Sequence, residues 1–293
     1  MAAEVLLALI RANIAASAAI VGVVLLRCPA RRLFGVQLAY ALWLAVPAAM
    51  LGALFSTSDP STPYGSMKAM WLANPPHPVA LLAFWLTGVA ASLGLVAWAQ
   101  LRFLAAARAG TAGPAVTGIV HARLVVPSDF AERFTPAERK LVRAHERAHI
   151  DRLDVRVNAW TVLIQCLGWF NPLIHLAARA MRLDQELACD AMVVGRLPHE
   201  RRAYAEALLK AGLAQIDLPL GCCWTARGVH PLEARITMLT RPAPTGVRQD
   251  VGIAVLAAVT MTAMCTAWAA QPPQPPWLAL IVTLPFTVMF DLA

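Results

Sequence analysis

Four apolar runs govern what this chain can become. Residues 5–26, 33–55, 79–101 and 251–270 each reach the ~20 residues with which an α-helix crosses a hydrocarbon core. No water satisfies backbone N–H and C=O groups inside that core, so a spanning segment must close its own hydrogen bonds, and runs of this length do so as helices. With 59% of residues hydrophobic and 14% charged, the chain has the balance of an integral membrane protein. A net charge of +8 raises nucleic acid as a partner. The arginines, however, gather beside apolar runs rather than in an even basic patch, so no direct nucleic-acid binding is expected. The first run lacks a basic leader and meets Arg27, Arg31 and Arg32 instead of a small-residue cleavage site, which reads as an anchor and not a signal peptide.

Loop charges give an orientation. The first loop, "RCPARR", carries three arginines and is expected in the cytoplasm; the second, residues 56–78, is rich in Pro and Ser with one lysine and is expected outside. Arg102, Arg108 and Arg123 follow the third run and pull the chain back inside. The expected organisation is three membrane helices in 1–108, a cytoplasmic domain in 109–250, a fourth membrane helix in 251–270 and a tail in 271–293. The amino terminus then lies outside. The tail opens on a Pro-rich linker, and 277–290 is short and holds Pro285, so it is expected to be interfacial or re-entrant.

Within 109–250 the periodicity changes. "AVTGIVHARLVVPSDF" has β-branched runs between Gly, Pro, Ser and Asp and reads as a hairpin or two small strands. "TPAERKLVRAHERAHIDRLDVRVNAW" opens with a helix start signal: Thr135 as N-cap, Pro136 at the first position and Glu138 three on. Leu141, Val142, Ala144, Ala148 and Val155 give that helix an apolar side. The fold class is therefore a mainly α membrane protein, with a small α+β domain between its third and fourth membrane helices.

The chemistry sits in "RAHERAHIDRLD". Helix positions four apart differ by about 40° in azimuth and about 6 Å in rise, so His145 and His149 project from one face and can share a metal ion. Glu146 lies about 100° from His145, placed to reach a water on that ion without competing as a ligand. Two histidines and an adjacent glutamate base in this spacing form the zinc metalloprotease arrangement. A catalytic zinc needs a third protein ligand and an open position. "MRLDQELACDAMVV" offers Glu186, with Asp190 one turn later on the same face, where it can orient a ligand histidine. An E-x-x-x-D pair after H-E-x-x-H resembles the glutamate-zincins, as in thermolysin. Residues 160–178 are apolar over the length of a span but broken by Gly168 and Asn171-Pro172. Because His149 and Glu186 must meet at one ion, this stretch has to begin and end on one side of the membrane. It is expected to be a helical hairpin.

Four spans, then "RAHERAHIDRLD", then "WFNPLIHLAARAMRLDQELACD" and "LEARITML" together resemble the BlaR/MecR-type antirepressor membrane metallopeptidases over most of the chain. The resemblance implies a zincin domain between the third and fourth membrane helices of a bacterial cytoplasmic-membrane protein. It also implies one zinc ion on His145, His149 and Glu186, Glu146 as catalytic base, and regulatory cleavage of a protein substrate, a transcriptional repressor in family members of known role. Antibiotic sensors of the family carry a penicillin-binding domain after the fourth helix. Here 23 residues follow Ala270, without an S-x-x-K motif, so antibiotic binding by this chain is not expected and a separate sensor protein becomes a candidate partner.

A substrate segment is expected to pair with the strand around Ala122, Arg123, Leu124, Val125 and Val126, since proteolysis favours extended backbone. His121, His175, His199 and His230 read as structural or solvent-facing, and Asp154 as support for the site helix. The six cysteines (Cys28, Cys166, Cys189, Cys222, Cys223 and Cys265) show no CxxC pair and read as reduced, packed residues, with none at metal-ligand spacing. Two other readings stay open on the residues alone: a constitutive quality-control protease, and a non-enzymatic zinc-binding signalling protein. The second would want a closed four-ligand site.

Overall fold

The computed structural model describes residues 2–55, 77–211, 222–223, 229–241, 244 and 246–270. The segment 277–290 and nearly all of the 56–78 loop lie outside the described residues. The fold is mostly helical, and four stretches among the described residues are long and apolar enough to cross a membrane. Helix α1 is Ala2–Leu33. At ~1.5 Å per residue its 32 residues exceed a ~30 Å core, so Arg27, Arg31 and Arg32 fall in its final turns beyond the apolar part.

The second run was expected as one unbroken helix. It is instead α2 (Val36–Ala41), a 3₁₀ turn (Leu42–Leu44) and α3 (Ala45–Leu54). Pro47 explains the break: it has no N–H for the carbonyl of Trp43, and its ring crowds that carbonyl. Helix α4 (Pro78–Arg108) runs seven residues past its expected end, because "RFLAAAR" keeps good helix formers beyond the last apolar turn. Its apolar side chains face outward, with Val79, Phe84, Leu95 and Leu101 all more than 60% exposed. An uncovered apolar face of that extent belongs against lipid.

The small sheet has order β2-β1-β3 and is antiparallel, built from β1 (Ala115–Thr117), β2 (Arg123–Val125) and β3 (Cys222–Cys223). Ala115 pairs with Val125 and Thr117 with Arg123; Ala115 and Val116 pair on the other side with Cys223 and Cys222. The sequence pattern showed only the first two strands, and the two-residue β3 is too short to carry any alternation. Gly118 turns the chain out of β1 with φ +99°, and a Cβ there would meet the His121 carbonyl oxygen at 2.3 Å. Only glycine serves at that turn.

Helices follow: α5 (Phe130–Arg133), α6 (Pro136–Asp151), α7 (Asp154–Leu167), α8 (Pro172–Arg196), α9 (Arg201–Ala211), α10 (Val229–Leu239) and α11 (Gly246–Ala269). Helix α6 begins on a full capping box, with Thr135 Oγ1 accepting from Glu138 N–H at 3.3 Å and Glu138 Oε2 from Thr135 N–H at 2.7 Å. Residues 160–178 form the expected hairpin of two helices, closed by the Gly168 C-cap and reopened by the Asn171 side chain, which accepts from Leu173 N–H at 3.0 Å.

The chain divides into two compact units: Met1–Val23 with Leu42–Leu86 and Ala254–Ala293, and Val24–Ala41 with Thr87–Ile253. In the first, Gly52 lets α3 and α11 approach so closely that a Cβ would sit 2.3 Å from Met264 O, the small-residue packing of membrane helices. In the second, α8 is the central rod, and α2, α6, α7 and α10 pack around it. Leu141, Val142, Ala148, Val193, Tyr204 and Leu208 form its main core. That core fixes α6 against α8, and with them the polar side chains they carry.

Candidate metal centre

His145 and His149, one turn apart on α6, are fully buried, and their Nε2 atoms lie 3.0 Å apart. Glu186 on α8 reaches both, with Oε2 3.3 Å from His145 Nε2 and Oε1 3.5 Å from His149 Nε2. Ligand bonds of ~2.0–2.2 Å in a tetrahedron require donor-to-donor edges of about 3.3–3.5 Å. The two Nε2 atoms are 3.0 Å apart and each meets a different oxygen of the Glu186 carboxylate, at 3.3 and 3.5 Å, so one donor from each residue can gather around a single ion.

What holds each ring is equally specific. His149 Nδ1 lies 2.8 Å from Asp154 Oδ2, and His145 Nδ1 lies 2.8 Å from the Tyr204 hydroxyl, which donates to Asp190 Oδ1 at 2.6 Å. With both Nδ1 atoms as donors, the two Nε2 atoms face each other at 3.0 Å and need a shared proton or a metal ion between them. Asp154 reaches His149 because the chain turns sharply at Leu153, a left-handed residue with φ +59°. That conformation costs a β-carbon residue about 1 kcal/mol. Asp190 was expected to receive a histidine N–H directly. It lies 3.2 Å from His145 Nδ1, and the shorter route runs through Tyr204.

Arg235 on α10 was not anticipated. It is buried and donates to Asp190 from Nε at 2.8 Å and Nη2 at 2.7 Å, while Nη1 lies 3.2 Å from Glu186 Oε2. The visible signal was an arginine set between apolar residues in "LEARITML". Tyr204 gave none, since a tyrosine at helical spacing reads as core. Cys189 corrects the cysteine reading. It is packed and reduced as expected, yet its Sγ lies 3.1 Å from His149 Nδ1 and 3.2 Å from Asp154 Oδ2, which makes His149, Asp154 and Cys189 a second group of potential ligands. Burial and the Asp154 charge raise the Cys189 pKa and keep it a thiol, whereas zinc takes the thiolate.

Glu146 is fully buried, and neither carboxylate oxygen has a hydrogen-bond partner among the described residues. Burial pushes its pKa up to about 7 against the pull of His149 and His145. Burial works against a charged His145, but hydrogen bonds to Asp190 and Glu186 outweigh it and lift the ring to about 9. Asp190 is held well below the usual range: burial opposes its charge, and Arg235 overcomes that. Four buried carboxylates (Glu146, Asp154, Glu186 and Asp190) face two guanidiniums, Arg152 and Arg235. The two Glu146 oxygens, buried and without a hydrogen-bond partner among the described residues, point to a polar occupant of the site.

The remaining candidates separate cleanly. Residues 122–126 include β2, which pairs only with β1 among the described residues and leaves its other edge open. Leu124 and Val126 are exposed there. His121 and His199 are exposed, and His175 bridges Gln165 and the Trp169 carbonyl as a structural residue. The side chain of His230 lies outside the described residues.

A family model described as BlaR1 peptidase M56 matches residues 7–81 and 106–239. The methicillin resistance mecR1 protein of Staphylococcus aureus is 31% identical over 101 residues, covering 34% of this chain and 17% of that protein. The regulatory protein BlaR1 of Bacillus licheniformis is 30% identical over 98 residues, covering 33% of this chain and 16% of its own. The chain thus spans under a fifth of the length of the curated relatives it matches. With apolar helices and a matched model over most of its length, this membrane protein belongs to the BlaR1 peptidase M56 family.

Proposed function

We propose that the chain is a zinc-dependent endopeptidase of the bacterial cytoplasmic membrane. The observation that carries this reading is the triangle of His145, His149 and Glu186 donors beside the buried, unpartnered carboxyl of Glu146. His145, His149 and Glu186 would hold the ion. When bound there, zinc would supply a Lewis acid able to bring the pKa of water toward ~7. Glu146 accepts the proton of the attacking water on a carboxylate oxygen and passes it to the leaving amide nitrogen. Asp154, and Asp190 through Tyr204, keep the Nδ1 protons in place so that both Nε2 atoms remain donors to the metal. The open edge of β2 binds an extended substrate segment by ladder hydrogen bonds across 122–126.

In this reading the domain of 109–250 lies in the cytoplasm between the third and fourth membrane helices, and the amino terminus lies outside. The arginines that follow the first and third spans support that orientation. The substrate is a protein involved in signalling, with a transcriptional repressor favoured by the kinship to a regulatory protein and a methicillin-resistance protein. The test compares peptide termini in cells carrying wild type and Glu146→Gln at equal expression. New termini confined to the wild type support the proposal; identical termini in both overturn it.

A further inference from the structure

In the second unit, where α1 ends and α11 begins, a cavity of about 710 Å³ opens beside α8. Arg32, Arg201, Arg241 and Arg248 line it and are exposed, and none of the four makes an ion pair among the described residues. A fifth arginine, Arg31, also lines it but is held by Asp184. The single acid in the lining, Asp190, is neutralised by two hydrogen bonds from Arg235 at 2.7 and 2.8 Å. Four guanidiniums around one cavity repel each other unless an anion sits among them. Guanidinium forks match phosphate oxygens in pairs.

Two features select the kind of phosphate. The volume lies in the ~300–1,000 Å³ range of sites for whole ligands, more than inorganic phosphate fills. Apart from Gln37 and Gln249 the rest of the lining is apolar, with Phe34, Val194 and Ile253 among it. The cavity also lies where two apolar helices long enough to span end, the level at which headgroups meet hydrocarbon. We propose that this cavity binds an anionic phospholipid, its phosphate on Arg32, Arg201, Arg241 and Arg248 and the start of an acyl chain on Phe34, Val194 and Ile253. Basic pockets beside membrane helices are suited to such headgroups.

The experiment titrates phosphatidylglycerol into the purified full chain in uncharged detergent and reads bound lipid by native mass spectrometry. Each arginine near an anionic headgroup is worth about fivefold in affinity, so R241Q/R248Q should weaken binding by about 25-fold. R241K/R248K keeps the charge and should recover most of it. R102Q/R108Q removes two arginines at the end of α4 that do not line the cavity, and should leave binding unchanged. Equal losses in the two glutamine variants would reduce the effect to general charge and overturn the proposal. So would equal binding of phosphatidylcholine, or displacement of the lipid by inorganic phosphate at equal concentration, which would make the cavity a free-anion site.

Discussion

Arg235→Met is the most informative single perturbation of the structure. The guanidinium is 1% exposed and satisfies Asp190 with bonds of 2.7 and 2.8 Å, while lying 3.2 Å from Glu186. Its removal leaves two buried carboxylates with the His145 ring as the one cation that meets both among the described residues. Breaking a buried pair from one side costs about 3–5 kcal/mol, a large part of the ~5–15 kcal/mol that holds a domain folded. Removing Asp190 as well should restore much of that loss, because the remaining buried charge then has less to compensate. The assay is the unfolding midpoint in detergent micelles for wild type, Arg235→Met, Asp190→Asn and the double variant. Arg202→Met is the control, since its pair with Glu206 is 93% and 63% exposed and should contribute nothing measurable. The reasoning predicts a non-additive cycle with coupling of at least ~2 kcal/mol. Additive losses, or an Arg235→Met variant as stable as the control, would refute the idea that this ion pair anchors α10 to the site.

Five other outcomes are expected. Asp154→Asn and Asp190→Ala should each lower zinc retention by ~10–100-fold, since each frees one ligand histidine; Glu186→Ala should be more severe than either, as read by metal content after dialysis against chelator. Glu146→Gln should retain zinc and the fold while proteolysis is lost, and an active purified variant would remove Glu146 from the role of base. Thr135→Ala should cost about 1 kcal/mol by opening the capping box of α6. Lys210 and the Thr135 N–H hold Glu138 below the ordinary carboxylate range, so its contribution is present above pH ~4.3 and fades as pH falls through its lower folded value; acid titration of wild type against Glu138→Gln reads this. A reporter fused at Gly228 should behave as cytoplasmic and one at Gln274 as external, and the reverse would turn the orientation over.

Much of this arrangement was legible because its signals are local. Helix spacing alone put His145 and His149 on one face, and Thr135, Pro136 and Glu138 announced the start of α6. The break at Gly168 and Asn171-Pro172 announced the hairpin. Pro47 was equally visible, but inside a continuous apolar run its effect on the second span was outweighed by hydropathy. What stayed hidden depends on contacts between elements distant in sequence. Tyr204 and Arg235 meet the site from α9 and α10; Asp154, read from the sequence as support for the site helix, reaches His149 through a left-handed Leu153 that no propensity favours. Cys189 reaches His149 only because α8 crosses α6 at that level. A pattern along one chain direction carries no information about which helix faces will meet.

X-ray absorption at the zinc edge of the purified full chain tests the central claim most directly. If His145, His149 and Glu186 hold the ion, the first shell contains only nitrogen and oxygen at ~2.0–2.2 Å. His149→Ala should then remove an imidazole from that shell, while Cys189→Ser leaves the spectrum unchanged. A sulfur shell near ~2.3 Å that disappears in Cys189→Ser would contradict the account and place the metal on the neighbouring cluster of His149, Asp154 and Cys189.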